Sequence, residues 1–150
     1  IKNLDIERIT IAGISLGIAR ASLEVATKYA KEREQFGRPI ADFQMIQQML
    51  ADGQAEYEAS SFHVYGAAQM WDEGKLTPTS SRALGAKVKL VAGKMATKVA
   101  LDAIQILGGY GYTREFPVER YMRDAKLIEI GAGTNEILRV LIARDMLGAL

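Results

Sequence analysis

The sequence predicts an all-α protein, an antiparallel four-helix bundle with one extra short helix. Apolar residues recur at spacings of three and four along most of the 150 residues, which is the period of an α-helix. Proline and glycine clusters divide the chain into three segments of about 30 residues and shorter ones after them. Alternating strand patterns are nearly absent. Long helices joined by short turns are typical of an antiparallel bundle.

The first helix is predicted over about 5–32, ending at the turn that contains Phe36 and Gly37. Two adjacent apolar stripes run along it, so we expect much of its surface to be buried. The first stripe contains Ile11, Ile14, Ile18, Ala21, Val25 and Tyr29, and the second contains Ala12, Leu16, Ala19, Leu23, Ala26 and Ala30.

The three prolines, Pro39, Pro78 and Pro117, are each expected at the start of a helix, where a missing N–H is tolerated. The second helix is predicted over about 39–71. Thr77 should cap the third, which begins with Pro78 and runs to Leu107.

The glycine cluster 108–111 ends the third helix. Its backbone could serve only as a helix C-cap and turn, or it could let a ligand approach closely. A short helix is predicted from Pro117 to about Asp124, and a last helix over about 134–147.

Composition narrows the class of protein. With 19 basic and 18 acidic residues, the chain offers no electrostatic reason to expect a nucleic-acid partner. It contains no cysteine, and His63 is its single histidine, so thiolate, di-iron and Ser-His-Asp sites are not expected. We find no signal-peptide pattern and expect no membrane span, because no apolar run approaches about 20 residues. The start at Ile1 suggests a piece of a longer protein.

The loop Gly131-Ala132-Gly133-Thr134 stands just before the last helix, a plausible anion-binding position. Ala132 cannot exchange a proton through its side chain, so any acid–base chemistry must come from elsewhere. Taken singly, Arg33, Gln44, Gln105 and the charges near the start of the first helix are explained as helix-terminus or surface residues.

Six blocks of sequence are informative in combination, namely 32–40 (EREQFGRPI), 43–47 (FQMIQ), 102–112 (DAIQILGGYGY), 116–120 (FPVER), 123–126 (RDAK) and 133–137 (GTNEI). Together they resemble the acyl-CoA dehydrogenase family, specifically its C-terminal helical domain. They follow the family's order and cover nearly the whole chain. The resemblance implies that residues 1–150 are one C-terminal domain of a larger flavoenzyme whose N-terminal helical and middle β domains are absent here.

The resemblance implies FAD-dependent formation of an α,β double bond in an acyl-CoA thioester, with a carboxylate taking the α-proton and flavin N5 taking the β-hydrogen as hydride. Many family members carry the base directly before the Gly-Thr of the last loop, where this chain has Ala132. The branch that is similar to isovaleryl-CoA and long-chain acyl-CoA dehydrogenases carries it near the start of the first helix, in an acidic-x-Glu-Arg pattern. Asp5-Ile6-Glu7-Arg8 matches that pattern, which assigns Glu7 as the base.

The same resemblance assigns the other site residues. The acyl-CoA site would be lined by Asp5, Ile6, Glu7, Arg8, Ala132 and Gly133. FAD would be contacted by Arg33, Gln44, Gln105, Ile106, Leu107, Gly108, Gly109, Thr134, Asn135 and Glu136. Because some of these contacts come from a neighbouring subunit in the family, a homodimer or homotetramer is implied.

The implied redox partner is an electron-transferring flavoprotein. Two alternatives stay open, an acyl-CoA oxidase that reduces oxygen and a non-catalytic helical module for assembly. We expect the 150-residue piece alone to fold and associate but to bind FAD poorly and be inactive. A bacterial cytoplasm is the expected compartment, with the mitochondrial matrix as the alternative.

Overall fold

The computed structural model describes residues 2–149, and within them it confirms the all-α prediction. Six helices and one minimal hairpin follow each other along the chain. They are α1 (Lys2–Glu32), β1 (Glu34–Gln35), β2 (Arg38–Pro39), a 3-10 turn (Ile40–Asp42), α2 (Gln44–Asp72), α3 (Pro78–Leu107), α4 (Gly109–Tyr112), α5 (Val118–Ile130) and α6 (Asn135–Met146).

Helix α3 lies at the centre of the bundle and packs against α1, α2, α5 and α6. Asp5 near the start of α1 meets Ser81 near the start of α3, so these two helices run in the same direction. Lys98 late in α3 pairs with Glu56 early in α2, so α2 runs antiparallel to α3. The chain thus goes up, down and up, as expected for consecutive helices joined by short turns.

Small side chains let α1 and α3 approach closely. Helix α1 makes this contact with the second of its two predicted apolar stripes. The first stripe is more open, with Ile14 53 % exposed. The buried residues of this contact are Ala12, Leu16, Ala19, Ala26 and Ala30 on α1 and Ala86, Ala92, Ala96, Ala100 and Ala103 on α3.

The predicted start of the third helix is confirmed, and the predicted start of the second is wrong. Thr77 accepts a hydrogen bond from the Ser80 amide in a capping box, and Pro78 occupies the first turn of α3. Pro39 instead lies in β2, and α2 begins only at Gln44. The reason is the tight turn before it, where Phe36 and Gly37 have φ of 56° and 79° and fold the chain back into a hairpin.

The fourth segment is also longer than predicted, since α5 continues to Ile130 and not merely to Asp124. Ion pairs at helical spacing, Arg123 with Glu119 and Lys126 with Glu129, support the helix through this charged stretch. The glycine cluster caps α3 through Gly108, as expected, and then forms the single turn α4.

The expectation that no stretch is apolar enough to span a membrane was too strict. By length and composition the helical segment Asn3–Glu32 would qualify, because an 18-residue window within it has a mean hydropathy of 1.4. In the structure its alanine and leucine stripe is buried against α3, which is the arrangement of a core helix in a bundle.

Gly111→Ala is expected to destabilise the bundle by about 1–3 kcal/mol, because overpacking against backbone cannot relax easily. A Cβ at Gly111 would lie 2.5 Å from the Ile104 carbonyl oxygen. Gly109→Ala is the matched control, since a Cβ there meets nothing within 4 Å. Urea unfolding followed by helical circular dichroism measures both. Equal stability of the two variants would contradict the close approach of α4 to α3.

Candidate active site

The start of α1 and the loop before α6 meet in the structure, although more than a hundred residues separate them in sequence. The Nε of Arg8 donates a hydrogen bond to the Ala132 carbonyl oxygen at 3.2 Å. Arg8 is 4 % exposed, so this contact is shielded from water. The two parts of the chain predicted to border the substrate are therefore brought together, with Glu7 directly beside Arg8.

Arg8 is held in place by the buried carboxylate of Asp5 in the same helix, which is supported in turn by Ser81 near the start of α3. Its Nη1 lies 3.5 Å from Asp5 Oδ1, and the Ser81 hydroxyl donates to Asp5 Oδ2 at 3.2 Å. Burial lowers the pKa of the Arg8 guanidinium, and the Asp5 carboxylate opposes that shift. Gly85 permits the contact, because a Cβ there would lie 2.9 Å from the Asp5 carbonyl oxygen.

Asp5 and Arg8 thus face the interior of the chain, where they support the loop. Asp5 is 2 % exposed. Their assignment as residues that line an acyl-CoA site stays a prediction. Ile6 is half-buried and Glu7 is exposed, so of these four neighbours Glu7 presents its carboxylate to solvent.

The loop adopts a backbone that favours glycine at two consecutive positions. Ala132 has a φ of 52° and Gly133 a φ of 104°. The Gly133 carbonyl oxygen accepts a hydrogen bond from Lys89 Nζ at 2.7 Å. Two cations on two helices therefore bind two successive carbonyls of this loop.

The loop leads directly into α6. Thr134 is the N-cap, and its Oγ1 accepts a hydrogen bond from the Ile137 amide at 3.4 Å. Asn135 is 6 % exposed, and within residues 2–149 its Oδ1 has no hydrogen-bond partner. Glu136 is exposed, and its pKa is lowered first by its own backbone amide and then by Thr134, as is usual for an acidic residue at a helix N-terminus.

A second group of predicted site residues lies at the other end of α1. A cleft of about 500 Å³ separates the end of α1 from the α3–α4 corner. Arg33 lines it together with residues 106–109, and their assignment as cofactor contacts stays a prediction. Its lining consists of Tyr29, Arg33, Gln35, Ile40, Ile106, Leu107, Gly108, Gly109, Tyr110 and Thr113. Gln105 and Gln44 are exposed at the end of α3 and the start of α2.

The two groups are far apart. Glu7 lies near the start of α1, and Arg33 immediately follows its end. At 1.5 Å per residue along a helix, the two positions are separated by about 39 Å. The predicted cofactor residues therefore do not form one site within this chain: Thr134, Asn135 and Glu136 follow the loop that Arg8 contacts, whereas residues 106–109 line the cleft with Arg33.

Sequence reasoning missed three residues that shape the first group, namely Ser81, Gly85 and Lys89. The signal for Lys89 was present, because it falls in the same helical stripe as Ala86, which is fully buried. A serine or glycine in a helix gives no comparable signal, since each also occurs on helix surfaces.

Ala132→Gly is expected to raise the free energy of unfolding by about 1 kcal/mol, because a non-glycine residue in the left-handed region is strained. The residue has a φ of 52°, and glycine adopts that conformation freely. Thermal unfolding of the two proteins measures the change. A loss of stability would show that the Ala132 side chain makes contacts worth more than its backbone strain.

Comparison with known proteins identifies the family. Residues 1–147 match the family model described as acyl-CoA dehydrogenase, C-terminal domain. The chain is 49 % identical over 143 residues to a mitochondrial isovaleryl-CoA dehydrogenase of Oryza sativa subsp. japonica, covering 95 % of this chain and 34 % of that protein. The chain thus spans about a third of the length of the curated relatives it matches.

Two solved structures share the fold. Butyryl-CoA dehydrogenase from Megasphaera elsdenii superposes with a TM-score of 0.91 at 44 % identity, over 96 % of this chain and 37 % of that one. A chain from the structure of the electron transferring flavoprotein of Acidaminococcus fermentans gives a TM-score of 0.91 at 47 % identity, again over 96 % of this chain and 37 % of that one. The chain belongs to the acyl-CoA dehydrogenase family.

Proposed function

We propose that this chain supplies the catalytic base, FAD contacts and a subunit interface to an enzyme that oxidises an acyl-CoA thioester to its α,β-unsaturated form. The observation that carries the proposal is the hydrogen bond from Arg8 to the Ala132 carbonyl oxygen, because it joins the start of α1, where Glu7 adjoins Arg8 in sequence, to the loop predicted to border the substrate. The chemistry needs a carboxylate at that place, because the α-proton of a thioester is only weakly acidic.

Among the carboxylates near this junction, Glu7 is the best candidate for the base. Asp5 is buried and accepts a hydrogen bond from Ser81. Glu136 is stabilised as an anion at the start of α6, which makes it a weaker base. Glu7 is exposed in this chain, so substrate, flavin or other domains would have to cover it to provide the dry site that proton abstraction favours.

The residues present fit FAD in two places. The cleft beside Arg33 combines a guanidinium, suited to a pyrophosphate through its paired N–H donors, with bare backbone at Gly108 and Gly109. Near Glu7, the buried Asn135 Oδ1 lacks a partner within the described residues, and it could accept a hydrogen bond from a bound group. When bound, FAD would supply the hydride acceptor for the β-hydrogen.

The separation of these two places supports a homodimer or homotetramer. About 39 Å along α1 is longer than one FAD molecule, so Arg33 and Glu7 of the same chain would serve different flavins. A second copy whose Arg33 end approaches the Glu7 end of the first would complete each site. Exposed apolar surface that such an interface would bury is provided by Phe36, Phe62 and Tyr65.

We further propose an electron-transferring flavoprotein as redox partner, and a bacterial cytoplasm or mitochondrial matrix as compartment. The plant relative is named as mitochondrial. An acyl-CoA oxidase is the alternative within the enzyme class, and a non-catalytic assembly module is the alternative outside it. The match along 1–147 and the grouping of Glu7 with the loop favour the enzyme.

Anaerobic mixing of the full-length, FAD-loaded protein with a panel of straight and branched acyl-CoAs tests the proposal. Bleaching of the oxidised flavin absorbance by at least one thioester is expected. Reoxidation by an electron-transferring flavoprotein identifies a dehydrogenase, and rapid reoxidation by oxygen identifies an oxidase. Failure of every thioester to reduce the flavin would support the assembly module.

A further inference from the structure

Lys89 lies in the middle of α3 with its side chain fully buried, at 0 % exposure. Removing a charged ammonium group from water costs several kcal/mol. Burial accordingly lowers the pKa of Lys89, the positive charge of Arg8 lowers it further, and Glu129 and Glu136 partly oppose the shift. A core position among alanines and valines would be filled more simply by an apolar residue.

The side chain of Lys89 is directed at one target. Its Nζ donates to the Gly133 carbonyl oxygen at 2.7 Å, a short charge-assisted hydrogen bond. No side-chain acceptor within residues 2–149 lies within ion-pairing distance of Lys89. The ammonium group of Lys89 is therefore hydrogen-bonded to the backbone of the loop and is not paired with a carboxylate of another helix.

The Gly133 carbonyl is an unusual place for such a bond, because the loop backbone there is left-handed. Ala132 and Gly133 have φ of 52° and 104°. A strained conformation persists only where its surroundings hold it. Arg8 holds the carbonyl of Ala132, and Lys89 holds the next one.

We propose that Lys89 is a positioning residue, which fixes the Gly133 carbonyl and so sets the substrate-facing wall formed by Ala132 and Gly133. This role rests on the proposed function of the loop. Glu7 is placed separately, since α1 is tied to α3 through Asp5 and Ser81. Loss of Lys89 is thus expected to weaken binding of the thioester more than it slows abstraction of the thioester's α-proton.

The test compares Lys89→Met with Lys87→Met in the full-length, FAD-loaded enzyme. Lys87 is the matched control, because its Nζ pairs with Asp145 at 2.9 Å and so also links α3 to α6, without reaching the loop. For Lys89→Met we expect KM for the best acyl-CoA to rise about tenfold with kcat changed less than about threefold, the pattern of lost binding that is common to ground and transition states. Lys87→Met should leave KM unchanged.

Thermal unfolding separates this role from simple support of the fold. Lys89→Met removes the cost of burying an ammonium group but leaves the Gly133 carbonyl without its donor, a cost of about 1–3 kcal/mol. Because these two effects oppose each other, Lys89→Met should melt no more than about 5 °C below wild type. Lys89→Gln, which keeps a donor on a shorter chain, should show an intermediate KM. These variants are informative once the wild-type enzyme reduces its flavin, and wild-type inactivity would count against the proposed function instead.

Three outcomes would overturn the assignment of Lys89. One is a wild-type KM in Lys89→Met, and another is an equal rise of KM in Lys87→Met. The third is failure of both Lys89→Met and Lys89→Gln to fold, which would assign the lysine to stability alone.

Discussion

Glu7→Gln in the full-length, FAD-loaded enzyme is expected to slow flavin reduction by acyl-CoA about 10²–10⁴-fold, the contribution of a positioned general base. Glutamine keeps the size of the side chain and removes its ability to accept the α-proton. The exposed position of Glu7 makes a folding defect an unattractive explanation for such a loss. Anaerobic stopped-flow absorbance of the oxidised flavin measures the rate.

Glu24→Gln is the matched control, since Glu24 is an exposed glutamate on the same helix whose contact is a surface ion pair with Arg20. It should reduce flavin at the wild-type rate. A second variant moves the carboxylate: Glu7→Gln combined with Ala132→Glu should regain part of the activity, because the family resemblance places the base at either position. Near-normal reduction by Glu7→Gln alone would assign the base elsewhere.

Asp5→Ala is expected to lower the free energy of unfolding by about 3–5 kcal/mol, the cost of leaving a buried charge without its partner. Asp5 and Arg8 are 2 % and 4 % exposed, so water cannot replace the lost carboxylate. Arg8 would be left facing only the Ala132 carbonyl, and Ser81 would lose its acceptor. Urea unfolding monitored by circular dichroism gives the value.

Two further variants bracket that result. Asp5→Asn keeps an oxygen acceptor for Ser81 and should lose less stability than Asp5→Ala. Asp124→Ala removes an exposed aspartate from α5 and should change stability by no more than about 0.5 kcal/mol. If Asp5→Ala lowered the free energy of unfolding no more than Asp124→Ala does, the buried Asp5 at the start of α1 would not contribute to the stability of the bundle.

Helical periodicity was sufficient to predict the long helices, because each turns side chains spaced three and four residues apart toward the core. It failed at Pro39, where the sequence alone allows both a helix start and an extended strand. The positive φ of Phe36 decides for the hairpin, and phenylalanine gives no hint of that backbone conformation. It also failed at the end of α5, where a charged stretch is helical and is supported by ion pairs at i,i+4 and i,i+3 spacing.

The site residues were predicted from short motifs and family resemblance, whereas the fold was predicted from helical periodicity. The motif around Glu7 and the small residues of the loop pointed to two parts of one candidate site, and the structure brings their backbones together through Arg8. The separation of Arg33 from Glu7 was implicit in the prediction of one helix over about 5–32, and the structure confirms that α1 is continuous. Lys89 could not be assigned from the sequence, because only the fold shows which carbonyl a buried lysine reaches.

The most direct measurement is exchange of the α-hydrogen of a saturated acyl-CoA with D₂O on enzyme whose flavin is already reduced. The reduced flavin cannot accept hydride, so the exchange reports proton removal alone. Mass spectrometry of the recovered thioester should show deuterium with the wild-type enzyme and with Glu24→Gln, and essentially none with Glu7→Gln. Deuterium incorporation by Glu7→Gln at the wild-type rate would contradict the assignment of Glu7 as the base.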